Sequence, residues 1–433
     1  MLDTNLAPDM TRPLRCATAG SVDDGKSTLL GRLLLDAKAL MTDQIAQVEE
    51  ASRRRGFART DLALVTDGLR AEREQGITID VAWRYFTTPR RRFVLADAPG
   101  HVEYTRNMIT AASSADLALV LVDARAGLLE QTRRHLFVAR LLGVPEVSVA
   151  VNKMDLVGFD HATFARVRDE VVDFFQALPL PQTSARLSFF PISALLGDNV
   201  VERSTRMPWH DGQPLLSHLE SVPTEAERED APARLAVQWV VRPHDDARPD
   251  YRGYAGRVAS GVFRRGDRVR VEPTGTETTV LRIETYDGEL DEVRAGTSCV
   301  IHLEDDLAVS RGDLITTAAE PTMVTERFIA DLVWLHPTTI RPNEAFLLKT
   351  GSREVRATVE AVLAHYDVST GKAVVSDVRP VLNTLARVQI RTFEPVAVDP
   401  YQLNRQTGSF LLIDTASCAT RAAGMIRAPV APA

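Results

Sequence analysis

A glycine-rich stretch near the N-terminus has the residue types of a phosphate-binding loop. The pattern Gly20-x-x-x-x-Gly25-Lys26-Ser27 follows a short apolar run and precedes a segment with helical periodicity, the context that such a loop requires. In these loops backbone N–H groups and a helix N-terminus surround phosphate. The Lys side chain reaches the β- and γ-phosphates, and the Ser hydroxyl binds Mg²⁺. The stretch therefore predicts a site for a nucleoside triphosphate.

Two carboxylates, Asp23 and Asp24, lie in the middle of this loop, although its ligand is a polyanion. The backbone amides of such a loop point inward at phosphate, so the side chains at the intervening positions can face away from it. We therefore expect the two carboxylates to form local hydrogen bonds that shape the loop.

Two segments could complete the phosphate and metal side of the site. Asp97 ends a predicted strand in Asp97-Ala98-Pro99-Gly100, where its carboxylate can hold Mg²⁺ through water. Gly100 can offer its amide to the γ-phosphate. Thr78 is placed to give the metal a second hydroxyl when the γ-phosphate is present.

Two later segments could recognise the base. Asn152-Lys153-Met154-Asp155 follows a buried strand, and the Asp155 carboxylate can accept hydrogen bonds from N1–H and the 2-amino group of guanine. Adenine lacks this pair of donors, a mismatch worth roughly 10⁴-fold in selectivity. Ser193-Ala194 can add a backbone amide for the guanine O6. Each segment alone could be a strand-end turn or a capping residue, but all five in order predict a GTP-binding domain.

The hydrophobic pattern indicates which elements position these segments. In residues 1–222 short apolar strands alternate with amphipathic helical segments, which predicts an α/β P-loop GTPase domain with a mostly parallel sheet. Residues 230–320 and 324–428 contain short strands separated by glycine turns, which predicts two antiparallel β-barrel domains. Residues 429–433 are expected to form a flexible tail.

The composition of the 433 residues is that of a soluble globular protein. The formal net charge of −7 gives no global attraction to nucleic acid. The three cysteines have no metal-ligand or disulfide spacing. With no long apolar run and no apolar signal-peptide core, the chain is expected to be cytoplasmic and free of the membrane. The basic run 90–92 is interpreted as a solvated turn.

Several segments resemble the elongation-factor class of GTPases. They are GSVDDGKSTLLGRLL and LADAPGHVEYTRNMITAAS in the first domain, RGYAGRVASGVFRRGDRV in the second, and NRQTGSFLLIDTASCATRAAGMI in the third. Elongation factor Tu, however, usually has His at the position of Asp24 and Thr at that of Ser27. Within the class, SVDDGKSTLLGRLL, TIDVAWRYF and DYRGYAGRVASG are most similar to the large GTPase subunits of bacterial heterodimeric sulfate adenylyltransferases.

This resemblance implies a function and a set of site residues. GTP hydrolysis on this chain would be coupled to synthesis of adenosine 5′-phosphosulfate and pyrophosphate on a smaller partner subunit that binds ATP and sulfate. GTP and Mg²⁺ would be bound here, with Ser27, Thr78 and Asp97 serving the metal. His101 would orient the attacking water, with Lys26 and Thr78 as the other catalytic residues. The expected GTP contacts are Gly20, Ser21, Val22, Asp23, Asp24, Gly25, Lys26, Ser27, Thr28, Asp97, Ala98, Pro99, Gly100, His101, Asn152, Lys153, Met154, Asp155, Ser193, Ala194 and Leu195.

Two other functions are compatible with the same motifs. A translation factor that delivers tRNA or a release factor to the ribosome would share the GTP site and both barrels. A nucleotide-sensing scaffold would bind GTP without releasing phosphate. Stimulation of GTP hydrolysis by ATP, sulfate and the partner, or instead by ribosomes, distinguishes these functions.

Overall fold

The computed structural model describes residues 13–38, 46, 48, 50, 52–53, 62, 82–97, 105–180, 185–224, 231–243, 251–341, 343–375 and 377–430, with only the backbone at 105–106. The chain forms two compact units. One comprises Met1–Glu225 and Asp367–Lys372, and the other comprises Ala226–Tyr366 and Ala373–Ala433.

A six-stranded sheet lies at the centre of the described part of the first unit. Its strands are β1 (Leu14–Ala19), β2 (Ala82–Thr87), β3 (Arg92–Asp97), β4 (Leu117–Asp123), β5 (Glu146–Asn152) and β6 (Arg186–Pro191). Their order across the sheet is β2-β3-β1-β4-β5-β6. Strand β2 is antiparallel to β3, and the other neighbours are parallel. The predicted mostly parallel sheet is therefore confirmed.

Helices lie between or after most of these strands. They are α1 (Lys26–Asp36), α2 (Thr105–Ser113), α3 (Glu130–Leu141), α4 (His161–Ala177) and α5 (Leu215–Ser221). Every residue of β4 and β5 is buried, as expected for parallel strands that helices cover on both faces. Leucines of α1 and α5 pack with β1, β3 and β4 in one hydrophobic core. None of the helices in the described residues is long and apolar enough to cross a membrane.

The strand register brings the polar segments of the sequence to one edge of the sheet. Thr18 near the end of β1 lies opposite Asp97 at the end of β3. Asp123 at the end of β4 lies opposite Asn152 at the end of β5. Ligands of open parallel sheets bind outside the carboxyl ends of the strands. This edge is therefore where a nucleotide site is expected.

The basic run 90–92 is solvated, as the sequence predicted, at Arg90 and Arg92, which are exposed, but not at Arg91. Arg91 is only 1% exposed, and its guanidinium donates hydrogen bonds to the carbonyl oxygens of Leu219, Glu220 and Val222. These carbonyls lie at the C-terminal end of α5, where a helix has unpaired acceptors and negative partial charge. The expectation was wrong for Arg91 because an Arg in a turn can donate hydrogen bonds to the C-terminal carbonyls of a helix that is distant in sequence.

The second unit contains two closed barrels in its described residues. The first has β7 (Arg234–Val241), β8 (Gly253–Ser260), β9 (Val262–Arg264), β10 (Arg268–Glu272), β11 (Thr276–Thr285), β12 (Gly288–Leu290), β13 (Glu292–Arg294), β14 (Ser298–Leu303) and β15 (Leu314–Thr317). Six of these strands close in the order β10-β15-β7-β8-β14-β11, with β11 pairing back onto β10.

The second barrel follows directly. Its strands are β16 (Met323–Trp334), β17 (Ala345–Thr350), β18 (Arg353–Asp367), β19 (Lys372–Val375), β20 (Leu385–Val398), β21 (Ser409–Asp414) and β22 (Thr420–Pro429). Six strands close in the order β17-β21-β22-β16-β20-β18, with β18 pairing onto β17. Neighbouring strands in the described residues of both barrels are antiparallel, so the predicted pair of antiparallel barrels is confirmed.

Buried polar contacts join the two barrels. The Arg234 guanidinium donates to both oxygens of Asp399, at 3.1 and 3.3 Å. The Thr407 hydroxyl donates to the same carboxylate at 2.6 Å, and Asn404 Nδ2 donates to Ser260 Oγ at 2.9 Å. A buried charge pair with further hydrogen bonds fixes the orientation of the groups that make it. These contacts therefore hold the two barrels in one arrangement.

Candidate nucleotide-binding site

Two glycines allow the loop to pass close to the strand ends. Gly20 and Gly25 have φ values of 149° and 92°, in the region that favours glycine. A Cβ on Gly25 would lie 2.5 Å from Asn152 Nδ2, and one on Gly20 would lie 3.0 Å from the Leu121 carbonyl oxygen. The close approach allows Asn152 Nδ2 to donate to the Asp24 carbonyl oxygen at 2.8 Å. The loop is thus held directly by the segment predicted to recognise the base.

Lys26 lies inside the loop rather than in solvent. Its Nζ donates to the carbonyl oxygens of Gly20 and Ser21 at 2.8 and 3.0 Å, and the residue is 9% exposed. Burial lowers the pKa of this amine. Both acceptors are neutral, and a charged phosphate oxygen is a stronger partner for a cation. The loop therefore places a cation where an incoming phosphate can compete for it.

The two carboxylates of the loop have different environments. Asp24 is 3% exposed, and its Oδ2 accepts a hydrogen bond from the Ser21 amide at 2.6 Å, so it forms the expected local bond. Burial raises the pKa of Asp24 to about 6, although the Ser21 amide and the Lys26 cation oppose the shift. Asp23 is exposed and has a φ of 70°.

The residues predicted to read the base are joined by hydrogen bonds. Ser193 Oγ donates to Asp155 Oδ1 at 2.6 Å and accepts from the Leu196 amide at 3.2 Å. The second oxygen of Asp155 takes no part in these two hydrogen bonds. The Ala194 amide, expected to meet the guanine O6, here donates to Asn152 Oδ1 at 2.9 Å. In this arrangement the Ala194 amide is therefore bonded within the protein.

A cluster around Asp123 connects the loop to the base segment, and the sequence reasoning missed it. Lys153 Nζ donates to the Asp23 carbonyl oxygen at 2.5 Å and to Asp123 at 2.9 Å. Arg125 donates to the same carboxylate through Nε and a terminal nitrogen, at 3.1 and 2.6 Å. Although burial alone would raise it, these bonds hold the pKa of Asp123 below its ordinary value. Its position at the end of a buried strand was the signal that could have identified it.

Helix α3 supports the loop from a side that no sequence motif indicated. His135 Nδ1 accepts the Gly20 amide at 3.0 Å, and Ser21 Oγ lies 3.2 Å from Thr132 Oγ1. Burial, followed by nearby cations, lowers the pKa of His135 to about 3, so the ring is neutral. The other ring nitrogen, Nε2, lies 3.0 Å from Gln131 Nε2.

The metal side of the site is described in part. Thr18 Oγ1 donates to Asp97 Oδ1 at 3.0 Å, Asp97 is buried, and Ser27 is half-buried. A hydroxyl and a carboxylate are the oxygen donors that Mg²⁺ prefers, usually together with water and phosphate oxygens. The described residues contain no cluster of three or more His, Cys, Asp or Glu suited to a metal. The donor set fits a cation bound mainly through a nucleotide.

The remaining predicted site residues differ in their exposure to solvent. Val22 and Leu195 are exposed, Thr28 is partly buried and Met154 is fully buried. Thr78, Ala98, Pro99, Gly100 and His101 lie outside the described residues. Their roles remain predictions.

Three family models match the chain in order. Residues 11–225 match the Elongation factor Tu GTP binding domain. Residues 254–316 match Elongation factor Tu domain 2, and residues 327–427 match the GTP-eEF1A C-terminal domain-like family.

Curated relatives extend the similarity over nearly the whole chain. The bifunctional enzyme CysN/CysC of Mycobacterium tuberculosis (strain ATCC 25618 / H37Rv) is 49% identical over 96% of this chain and 67% of its own length. Sulfate adenylyltransferase subunit 1 of Aeromonas hydrophila subsp. hydrophila is 46% identical over 95% of this chain and 86% of its own length. Sulfate adenylyltransferase subunit 1 of Citrobacter koseri is 44% identical over 96% of this chain and 86% of its own length. The chain belongs to the sulfate adenylyltransferase subunit 1 family, whose GTP-binding domain is of the elongation factor Tu type.

Proposed function

We propose that this chain is the GTPase subunit of a sulfate adenylyltransferase. GTP hydrolysis here is coupled to formation of adenosine 5′-phosphosulfate and pyrophosphate from ATP and sulfate on a smaller partner subunit. The hydrogen bond from Asn152 Nδ2 to the Asp24 carbonyl oxygen supports the GTP site, because it joins base recognition to phosphate binding. The relatives named sulfate adenylyltransferase subunit 1 support the sulfate chemistry.

Guanine is selected by Asp155. Ser193 holds one oxygen of this carboxylate, which turns the other toward the N1–H and 2-amino donors of the base. Lys153 is held at the same edge by Asp123, so its alkyl chain can cover the face of the base. A purine without the two donors would leave the carboxylate unpaired, which is the source of selectivity.

The phosphates are bound by the loop and by Lys26. On binding, the Lys26 ammonium exchanges its neutral carbonyl partners for the β- and γ-phosphate oxygens. Ser27 and Asp97 are the described residues that would hold Mg²⁺, directly and through water. When bound, the cation neutralises charge that builds up on the phosphates during transfer.

Hydrolysis is assigned to residues beyond the described part of the chain. His101 orients the attacking water, and Thr78 and Gly100 order two switch segments when the γ-phosphate is present. Loss of the γ-phosphate releases both segments, a two-state change of the kind that GTPases use to alter partner contacts. Phosphoryl transfer needs such positioning more than covalent help from the protein.

The test is phosphate release from GTP by this chain together with its partner subunit. We expect ATP plus sulfate to accelerate GTP hydrolysis and GTP to increase the yield of adenosine 5′-phosphosulfate. Ribosomes with tRNA serve as the comparison. Acceleration by ribosomes alone would assign the chain to translation, and GTP binding without phosphate release under any condition would indicate a sensing scaffold.

The proposed role of His101 has its own test in the same assay. We expect His101→Ala to slow phosphate release at least about 100-fold, because it removes the group that positions water, while the affinity for GTP stays within about twofold. A comparable loss of GTP affinity would show that His101 is structural and would contradict the role.

A further inference from the structure

We propose that Asp24 is a positioning residue that makes GTP binding proton-linked. Its carboxylate holds the phosphate-binding loop through the Ser21 amide and takes up a proton from solvent when the triphosphate binds. The inference depends on the proposed GTP site and deepens it.

The geometry explains how Asp24 can both hold the loop and respond to the charge of a bound phosphate. Oδ2 accepts the Ser21 amide at 2.6 Å, and a Cβ placed on Gly20 would lie 3.2 Å from the same oxygen. The carboxylate therefore fills the inside of the turn that it stabilises. Because the residue is 3% exposed, little water screens its charge. A phosphate group surrounded by the same eight-residue loop lies within about 10 Å, a distance similar to the screening length of about 8 Å in physiological salt, and salt screens buried charges less than exposed ones.

Other charged groups surround Asp24 without cancelling its effect. Lys26 on α1 and Lys153 after β5 favour its ionised form, and Asp123 at the end of β4 opposes it. His135 on α3, which supports the adjacent Gly20 amide, is neutral. In the loop without ligand, burial already holds the pKa of Asp24 at about 6.

Binding of a triphosphate changes this balance in one direction. Phosphate oxygens draw the Lys26 ammonium toward themselves and add negative charge beside the carboxylate, and both changes favour its protonated form. A proton on Oδ1 leaves Oδ2 accepting the Ser21 amide, so the loop keeps its shape. Protonation on binding means that GTP affinity falls as pH rises above about 6, by up to about tenfold per pH unit.

This arrangement has a consequence for turnover. At neutral pH and above, the ionised Asp24 lowers the affinity for anionic nucleotides in general. GDP therefore leaves faster than it would from a loop with a neutral residue at this position. Asp24 acts on the phosphates through the loop and not as a catalytic residue.

The test compares the complete chain with Asp24→Asn. Asparagine can accept the Ser21 amide but carries no charge. At pH 8 we expect the variant to bind GTP about tenfold tighter and to release fluorescent GDP correspondingly more slowly, the effect expected of one elementary charge several ångströms from phosphate. At pH 5.5 the two affinities should agree within about twofold.

GTP also titrates, but it does so with both proteins, so the ratio of the two affinities at each pH removes that contribution. Asp169→Asn is the matched control because it removes the same charge from an exposed side chain on α4. We expect it to bind GTP like the unmodified chain at every pH. A control that tightens binding as much as Asp24→Asn would assign the effect to net charge and overturn the proposal.

Calorimetry provides a readout that does not depend on a tighter-binding variant. Titrations of GTP in buffers with different ionisation enthalpies should report more proton uptake near pH 7 by the unmodified chain than by Asp24→Asn. Equal proton uptake, or an affinity ratio that is independent of pH, would overturn the proposal while leaving the GTP site intact. Failure of the unmodified chain to bind GTP would instead contradict the proposed function.

Discussion

The proposed selectivity for guanine depends on one side chain, Asp155. The Ser193 hydroxyl donates to one of its oxygens, and in the proposed site the base would meet the other. The sequence alone predicted this acceptor, since carboxylate chemistry and the pattern around Asn152 are local. The hydroxyl that orients it comes from another strand end.

Replacing this carboxylate by an amide, in Asp155→Asn, should weaken the binding of GTP. The amide presents a donor to the 2-amino group of guanine, and two donors repel each other. We expect the affinity for GTP to fall at least about 100-fold, as for other buried polar mismatches. Xanthosine triphosphate, with a carbonyl in place of the amino group, should bind the variant better than GTP does. Equal affinity of the variant and the unmodified chain for GTP in equilibrium titrations would show that Asp155 does not contact the base.

The charge on Asp24 also affects stability without nucleotide. Its pKa is about 6 in the folded chain and 3.8 in the unfolded chain, so between about pH 4 and 6 the folded state binds more protons. Stability should therefore fall as pH rises through this window, by up to about 3 kcal/mol at about 1.4 kcal/mol per pKa unit. Urea unfolding should give Asp24→Asn a flatter pH profile and greater stability at pH 8. Identical profiles for the two proteins would contradict the burial of an ionised carboxylate.

At the scale of elements, the strands and helices that position the candidate site could be predicted from the local hydrophobic pattern. The apolar runs that became β4 and β5 and the amphipathic runs that became α3 and α4 were recognisable because periodicity reflects burial. The contacts between these elements could not be recognised from the sequence. His135 and Gln131 of α3 are ordinary residues of an amphipathic helix, and only the packing of α3 beside the loop gives them a role.

Arg91, which lies outside the proposed GTP site, likewise makes contacts that could not be predicted from the local sequence. Its guanidinium donates to three carbonyls at the end of α5, which the turn sequence could not reveal. We expect Arg91→Met to destabilise the first unit by about 3 kcal/mol, because buried carbonyls lose a charged donor. Urea unfolding measures the loss.

The neighbouring Arg90→Met is the matched control for this prediction. Arg90 is exposed and forms an ion pair with Glu220 at 3.5 Å, and a pair with an exposed Arg is worth about 0–1 kcal/mol. A loss for Arg91→Met no larger than that of the control would contradict the role of Arg91 at the helix end.

At the scale of the whole molecule, the second unit depends on the Arg234–Asp399 pair between its barrels. Removing one member of a buried pair leaves an uncompensated charge, at a cost of about 3–5 kcal/mol. We expect Asp399→Ala to lower the unfolding temperature in calorimetry and to expose the junction between the barrels to limited proteolysis.

Glu394→Gln is the control for the barrel junction. Glu394 pairs with Arg353 at an exposed position, where the loss of the charge should cost less than about 1 kcal/mol. If Asp399→Ala changed the unfolding temperature no more than this control, the buried pair could not be what joins the barrels.

The sequence by itself determined the order of the parts: a phosphate-binding loop of the P-loop type, the strand-end segments predicted to bind metal and base, and two strand-rich barrels. This was possible because loop chemistry and strand periodicity involve residues close together in the chain. Tertiary structure alone decided that Ala194 donates to Asn152, that Asp123 holds Lys153, and that α3 supports the loop. These contacts join residues separated by tens to more than a hundred positions, and their partners are set by the order of strands in the sheet, which no local pattern contains.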